Sequence, residues 1–282
     1  LANIIPGVSG GTMAVSLGIY DKLIYSITHL FKDWKSSLRF LMPLLIGAGL
    51  GIVGFTYIIE FLLANYTLTT ALAFIGLILG GLPILFRSFV KSLKEEKRHI
   101  SFMHILPFLF FFAIAVGLPM LQASGETLMT FQLTASHLIQ LFFVGVIAAA
   151  TMVIPGVSGS LVLIILGYYY GILNTITLFL AALKAGDKAV LGQQFSLLVI
   201  FGIGVLMGIF LISKVIEFLF NHYSSYTYAG ILGLVIASPI AILYNTHALL
   251  DLYSPNAWMY AIVGILLLAV GYIVTYKLGE KS

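Results

Sequence analysis

The sequence contains no cysteine and very few charged residues. The lack of cysteine excludes disulfides, thiolate metal sites and cysteine nucleophiles. Charged residues occupy 9% of the 282 positions, whereas soluble domains carry roughly 25%. Hydrophobic residues make up 61% of the chain, and the mean hydropathy is +1.11. Too little polar surface remains to coat a soluble globule of this size, so the sequence predicts an integral membrane protein.

Long apolar stretches predict an all-α, polytopic fold, because a membrane-spanning helix needs about 20 apolar residues. Six stretches meet this length, at residues 40–63, 68–86, 102–121, 195–220, 226–244 and 257–276. Two further apolar regions, 1–20 and 138–176, each contain the hexapeptide IPGVSG, at 5–10 and at 154–159. Proline and glycine interrupt helices. We therefore expect each region to be a broken helix or a re-entrant hairpin, which is tolerated where protein or a wet cavity surrounds it.

The hexapeptides belong to a longer internal repeat. Shifting the sequence by 149 positions aligns 5–20 with 154–169, with nine of 16 positions identical. A shift of 157 aligns Glu60 with Glu217, and it also aligns three glycine pairs: Gly47 with Gly204, Gly51 with Gly208, and Gly76 with Gly233. Each half then contains one hairpin and three spans, so the second half is inverted relative to the first, as in many secondary transporters. The predicted units are a first repeat at 1–121, an outer loop at 122–137 and a second repeat at 138–282.

The distribution of basic residues supports this topology and orients it. One face carries eleven lysines and arginines: Lys22, Lys32, Lys35, Arg39, Arg87, Lys91, Lys94, Lys97, Arg98, Lys277 and Lys281. The other face carries Lys184 and Lys188. By the positive-inside rule both chain ends are expected in the cytoplasm. The net charge of +4 is explained by this loop bias and does not indicate nucleic-acid binding. Because the chain begins at Leu1 within an apolar stretch, we expect that its natural N-terminus is missing.

The hexapeptides are the candidate binding site. A helix that restarts after Ser-Gly leaves backbone N–H groups unpaired at its positive end, which suits an anion such as phosphate or carboxylate. Two such starts meeting near the membrane midplane would hold one anionic head group. The predicted phosphate-binding residues are Ser9, Gly10, Gly11, Thr12, Ser158, Gly159 and Ser160, and the motif-shaping residues are Pro6, Gly7, Pro155 and Gly156. The alternative is that the motifs are structural kinks, in which Ser9 and Ser158 cap helices.

Charged residues in or near the spans are candidates for coupling or gating, because ionisable groups in a membrane are costly. Glu60 and Glu217 occupy equivalent positions near span ends, where they could instead be interfacial residues. Glu217 could also pair with Lys214 three residues earlier. Arg87 could meet an anionic head group or could serve as a positive-inside anchor.

An intramembrane serine protease is a second possibility, since residues 7–10 read GVSG. A nucleophilic serine needs a histidine within reach, and the positions of the histidines leave this open. However, a catalytic serine is needed once, whereas the motif occurs twice in opposed orientations. We therefore expect a transporter, not an enzyme, with no cofactor or metal. A small soluble anion remains an alternative substrate.

The stretch PGVSGGT at 6–12 resembles the hallmark of the polyprenyl-phosphate transporter family, a bacterial membrane family formerly classed as a domain of unknown function. The second copy departs from the first at Ser160 and Leu161, so the two half-sites need not be equivalent. The resemblance implies a flippase in the bacterial cytoplasmic membrane. Its substrate would be undecaprenyl phosphate, the lipid carrier of cell-wall precursors, which returns from the outer to the cytoplasmic leaflet. The implied partners are this lipid and the bilayer, with no nucleic acid and an unspecified oligomeric state.

Overall fold

The computed structural model describes residues 9–120 and 131–280, and within them the chain is helical, without strands. The helices of the first half are α1 (Gly10–Ser16), α2 (Tyr20–Thr28), α3 (Trp34–Asn65), α4 (Thr67–Glu95) and α5 (Phe102–Met120). Those of the second half are α6 (Ala135–Val153), α7 (Gly159–Ile165), α8 (Tyr169–Ala185), α9 (Lys188–His222), α10 (Ser224–Asn245) and α11 (Ala257–Gly279). A short 3-10 helix, Ala248–Tyr253, precedes α11.

The prediction of an all-α, multi-pass membrane protein is confirmed. Six helices of the described ranges are long and apolar enough to cross a membrane: α4, α5, α6, α9, α10 and α11. The predicted span at 40–63 lies within α3, a continuous helix of 32 residues. Prolines occur inside several of these helices, as membrane helices tolerate when neighbouring helices satisfy the freed backbone groups.

The second hexapeptide breaks the chain where the sequence predicted. Helix α6 ends at Val153, α7 begins at Gly159, and α7 and α8 meet at an angle of 106°. Gly159 lies against Ala148 and Met152 of α6, so α7 folds back onto the helix that precedes it. Gly18 and Gly167 both adopt a positive φ, of 70° and 79°, at the break that follows the short helix in each half. Glycine adopts this conformation without steric cost, which explains why the repeat has glycine at both positions.

Four long helices form two packed pairs, and the internal repeat relates one pair to the other. Helix α4 packs along α11, and α10 packs along α5, while α4 and α10 contact each other. The closest approaches occur at repeat-related glycines, with Gly76 against the backbone of Leu268 in α11 and Gly233 against the backbone of Phe108 in α5. Small residues let membrane helices approach this closely. We call α4, α5, α10 and α11 the central group.

A second set of helices, α6 to α9, packs beside the central group and is called the lateral group. Gly204 and Gly208 of α9 lie against the backbone of α6, and α9 also contacts α8 and α2. Gly47, the counterpart of Gly204 on α3, has no atom within 4 Å of a built Cβ. Among the described residues, Gly204 therefore makes a close contact with a neighbouring helix, whereas its repeat counterpart Gly47 does not.

Polar links connect helix ends that the basic-residue pattern assigns to the same side of the membrane. Ser225, at the start of α10, donates from its backbone N–H and its hydroxyl to the Glu96 carboxylate, at 2.9 and 2.6 Å. His29, after α2, lies 3.2 Å from Glu217 near the end of α9. On the opposite side, the Leu68 backbone N–H donates to Asp251 at 2.8 Å. Each of these three links joins helix ends that the predicted topology places on one side of the membrane.

Candidate functional site

The two hexapeptides are in direct contact, although 144 to 147 residues separate their bonded groups. The backbone N–H of Gly156 donates to Thr12 Oγ1 at 2.6 Å and to Ser9 Oγ at 3.2 Å. The two hydroxyl oxygens lie 2.9 Å apart. Ser9 also caps α1, where its hydroxyl accepts from the Thr12 backbone N–H. Both side chains are buried. We call this contact between the two motifs the motif junction.

Two glycines allow the backbones to meet at the motif junction. A Cβ on Gly11 would lie 2.7 Å from the Val153 carbonyl oxygen and 3.1 Å from the Pro155 nitrogen. Gly156 has a φ of 78°, and a Cβ there would lie 2.9 Å from Leu234 of α10. The junction therefore joins the first motif, the second motif and the central group, and a larger residue at either glycine would push backbone away from backbone.

The second motif presents its hydroxyls differently from the first. Ser158 is the N-cap residue of α7 but makes no capping hydrogen bond, and its hydroxyl instead lies 2.9 Å from that of Ser160. Ser160 is exposed and Ser158 is half-buried. At the shift of 149, Leu161 occupies the position of Thr12, so the second motif cannot form the buried hydroxyl pair of the first. The two half-sites therefore differ in the structure.

Of the other predicted site residues, most are buried and one is exposed. Gly11, Pro155, Gly156 and Gly159 are buried, whereas Gly10 is exposed. Pro6 and Gly7 lie outside the described residues. The junction thus places Gly10, Ser158 and Ser160 where a ligand can reach them, while Ser9 and Thr12 hold the motifs together.

A cavity of about 450 Å³, which we call the polar chamber, opens on the side that the basic-residue pattern assigns to the cytoplasm. Its walls come from α2, α9 and the start of α10 and include Asp21, Lys22, Asn221 and Tyr228. The Tyr228 hydroxyl donates to Asp21 Oδ2 at 2.6 Å. Sequence reasoning missed Asp21 and Tyr228, because 207 residues separate them and no motif marks either one.

The predicted coupling residues lie near the membrane ends and not at the junction. Glu217 lines the chamber, with its carboxylate 3.1 Å from Lys214 and 3.2 Å from His29. The ion pair with Lys214 that the sequence suggested is present. Arg87 is 62% exposed, and it donates to the Tyr276 hydroxyl at 3.2 Å. The side chain of Glu60 lies outside the described part of the chain.

The hydrogen bonds of the motif serines bear on the protease hypothesis. Within residues 9–120 and 131–280, Ser9 bonds to Thr12 and Gly156, and Ser158 bonds to Ser160. No histidine of these ranges is hydrogen-bonded to either serine. His29 instead pairs with Glu217, and His104 lies 3.2 Å from the Ser225 hydroxyl. The described residues therefore show no hydrogen-bonded Ser–His pair at the motifs, such as the protease hypothesis requires.

Comparison with known proteins gives one family. A family model described as undecaprenyl phosphate translocase-like matches residues 1–255. A polyprenyl-phosphate transporter of Staphylococcus aureus is 29% identical over 284 residues, covering 99% of this chain and 92% of that protein. A polyprenyl-phosphate transporter of Vibrio cholerae is 27% identical over 251 residues, covering 84% of this chain and 72% of that protein.

No solved structure matches the chain. The family model spans both hexapeptides, the central group up to the end of α10, and the lateral group. The PGVSG motifs and the matched range thus lead to the same result: the chain belongs to the undecaprenyl phosphate translocase-like family.

Proposed function

We propose that this protein moves undecaprenyl phosphate across the bacterial cytoplasmic membrane, from the outer to the cytoplasmic leaflet. The observation that carries the proposal is the motif junction: two copies of PGVSG in contact within a membrane protein of this family. Both relatives are named as transporters of polyprenyl phosphate. A phosphate monoester with a long apolar tail suits a polar junction enclosed by membrane helices.

The phosphate is proposed to bind on the accessible side of the junction. Ser158, Ser160 and the first turn of α7 supply hydroxyl and backbone N–H donors there, and Gly10 allows close approach from the first motif. Helices α1 and α7 have seven residues each, so hydrogen bonds contribute more than a helix dipole does. These donors are necessary, because an unpaired charge within a membrane is very costly.

Transport is proposed to proceed by alternating access between two inverted repeats, 1–121 and 138–282, joined by the loop 122–137. The packed pairs α4–α11 and α10–α5 support the duplication, since each joins equivalent helices of opposite halves. The motif junction joins the two repeats, and a rocking motion of one repeat against the other would expose the phosphate to either side. The polar chamber would be the cytoplasmic exit, with both chain ends on that side.

Protons are a candidate driving ion. Glu217 lies in the proposed exit beside His29 and Lys214, and Glu60 holds the equivalent position in the first repeat. A change in protonation of such a carboxylate would alter the ion pairs that hold α2 against α9.

The test uses purified protein in liposomes, with labelled undecaprenyl phosphate supplied in one leaflet and its crossing timed with and without a pH gradient. We expect crossing that depends on the protein and that fails in a folded Gly159→Leu variant, since Gly159 lies against α6. Transport of inorganic phosphate without lipid crossing would overturn the proposal in favour of a small-anion transporter. Labelling of Ser9 by a serine-directed fluorophosphonate would instead favour a protease.

A further inference from the structure

A second cavity, of about 200 Å³, lies between α9 and α10. These two helices are joined directly at Tyr223, yet they make few contacts with each other. Helix α9 belongs to the lateral group and α10 to the central group, so the cavity occupies the seam between the two groups. Its walls include Phe111 of α5, Ile212 of α9, and Gly230 and Leu234 of α10.

The second hexapeptide forms one end of this cavity. Ile154 and Pro155 line it directly, and the next residue, Gly156, donates to Thr12 at the motif junction. Three residues of extended chain span at most about 11 Å, so Ser158 lies within that distance of the cavity wall at Pro155. The cavity therefore borders the proposed phosphate site.

The polar groups in the cavity wall are already paired, so the cavity favours hydrocarbon over water. The Tyr20 hydroxyl donates to the Val153 carbonyl oxygen at 3.2 Å, and the Thr227 hydroxyl donates to the Tyr223 carbonyl oxygen at 2.8 Å. A buried water needs at least two polar partners, whereas apolar cavities stay dry and bind apolar molecules.

The volume limits the ligand to a short apolar group. A dry apolar cavity of about 150 Å³ holds benzene, and an isoprene unit has one carbon atom fewer than benzene. The cavity can therefore hold an isoprene unit but not an entire polyprenyl tail. Val215 lines the cavity and is also 51% exposed on the outer surface of α9, so the remaining tail can leave toward the lipid beside it.

We propose that this cavity binds the isoprene unit next to the phosphate, and thereby selects phosphates that carry a prenyl chain over free phosphate. The proposal rests on the function proposed above, because the phosphate must be held at the adjoining junction. Both repeats line the cavity, since Phe111 belongs to the first and Ile212 to the second, so its occupancy is linked to the rocking motion.

The first test fills the cavity. Ile212→Trp places a large side chain in the cavity wall, and Leu211→Trp is the matched control, because Leu211 is the preceding residue and is 49% exposed. Ile212→Trp should raise the undecaprenyl phosphate concentration needed for half-maximal crossing at least tenfold, and Leu211→Trp should change it less than twofold. Equal behaviour of the two folded variants would overturn the cavity assignment.

A second test uses the wild-type protein and does not depend on the folding of a variant. Geranyl phosphate carrying a diazirine on its first isoprene unit should cross-link to α9, α10 or residues 154–155. Inorganic phosphate should compete at least tenfold less well than unlabelled geranyl phosphate. Cross-links confined to other surfaces, or equal competition by inorganic phosphate, would overturn the assignment.

The two proposals fail in different ways. If the wild type moves the lipid but Ile212→Trp is neutral and the probe labels other surfaces, the transport proposal stands and the cavity assignment is wrong. If the probe labels the cavity but the wild type moves no lipid, the cavity assignment stands and the transport proposal is wrong.

Discussion

Replacing Gly11 by alanine should disable transport while leaving most of the fold intact. The added Cβ would lie 2.7 Å from the Val153 carbonyl oxygen, about 0.7 Å short of the 3.4 Å at which ordinary contact begins. The neighbours at this point are backbone atoms of Val153, Ile154 and Pro155, and no side chain can rotate away. The two motifs must therefore separate by several tenths of an ångström.

The expected losses of stability and of transport follow from what this separation changes. Overpacking of this kind typically costs about 1–3 kcal/mol of stability. The separation also stretches the hydrogen bond from Gly156 to Thr12, now 2.6 Å, and moves Ser158 relative to Gly10. A displacement of about 1 Å at a functional site can cost about 100-fold in rate. We expect lipid crossing to fall by about 10- to 100-fold, with a moderate fall in Tm.

The assay is the timed crossing of labelled undecaprenyl phosphate in liposomes, with Tm measured on the same preparation. Gly202→Ala in α9 is the matched control, because a Cβ there has no atom within 4 Å. It should transport normally. If Gly11→Ala is folded and moves lipid at the wild-type rate, the motif junction is not the transport site and the reasoning is wrong.

Three further predictions test other parts of the site. Alanine at Ser158 or Ser160 should slow crossing about fivefold each, since one hydrogen bond contributes about 1 kcal/mol; a fully active double variant would show that the phosphate does not contact them. Glu217→Gln should flatten the pH profile of transport, because it removes the carboxylate that faces His29; an unchanged profile would remove the coupling role. Burial raises the pKa of the Glu96 carboxyl, but hydrogen bonds from the start of α10 and a nearby arginine hold this pKa below its ordinary value. Glu96→Gln should therefore lower stability at pH 7 by about 1 kcal/mol, a difference that shrinks as the pH falls through this lowered pKa, measured as Tm against pH.

Several features were predictable because they depend on local sequence. The breaks near residues 154–158 follow from proline and glycine in adjacent positions, and the structure ends α6 and starts α7 there. The matched glycines Gly18 and Gly167 were visible as a repeat, and both carry the positive φ that favours glycine. Five of the six predicted spans match helices long and apolar enough to cross a membrane, because apolar length predicts such spans.

The different roles of the four predicted hydroxyls could not be predicted from the sequence. The sequence places Ser9, Thr12, Ser158 and Ser160 in similar motifs, but the structure buries the first two against Gly156 and leaves the last two accessible. This difference depends on which backbone donor of the other half reaches the motif. Arg87 likewise looked like a candidate for a head group, and only the packing of α4 on α11 shows that it contacts Tyr276.

The amino-acid sequence by itself determines that this chain is an all-α membrane protein with duplicated helix breaks, because composition, apolar length and breaker residues act over a few neighbouring positions. Only the tertiary structure decides that the two breaks meet, that Asp21 pairs with Tyr228, and that an apolar cavity adjoins the second motif. These features depend on contacts between residues more than a hundred positions apart, where the approach of helix backbones sets the distances.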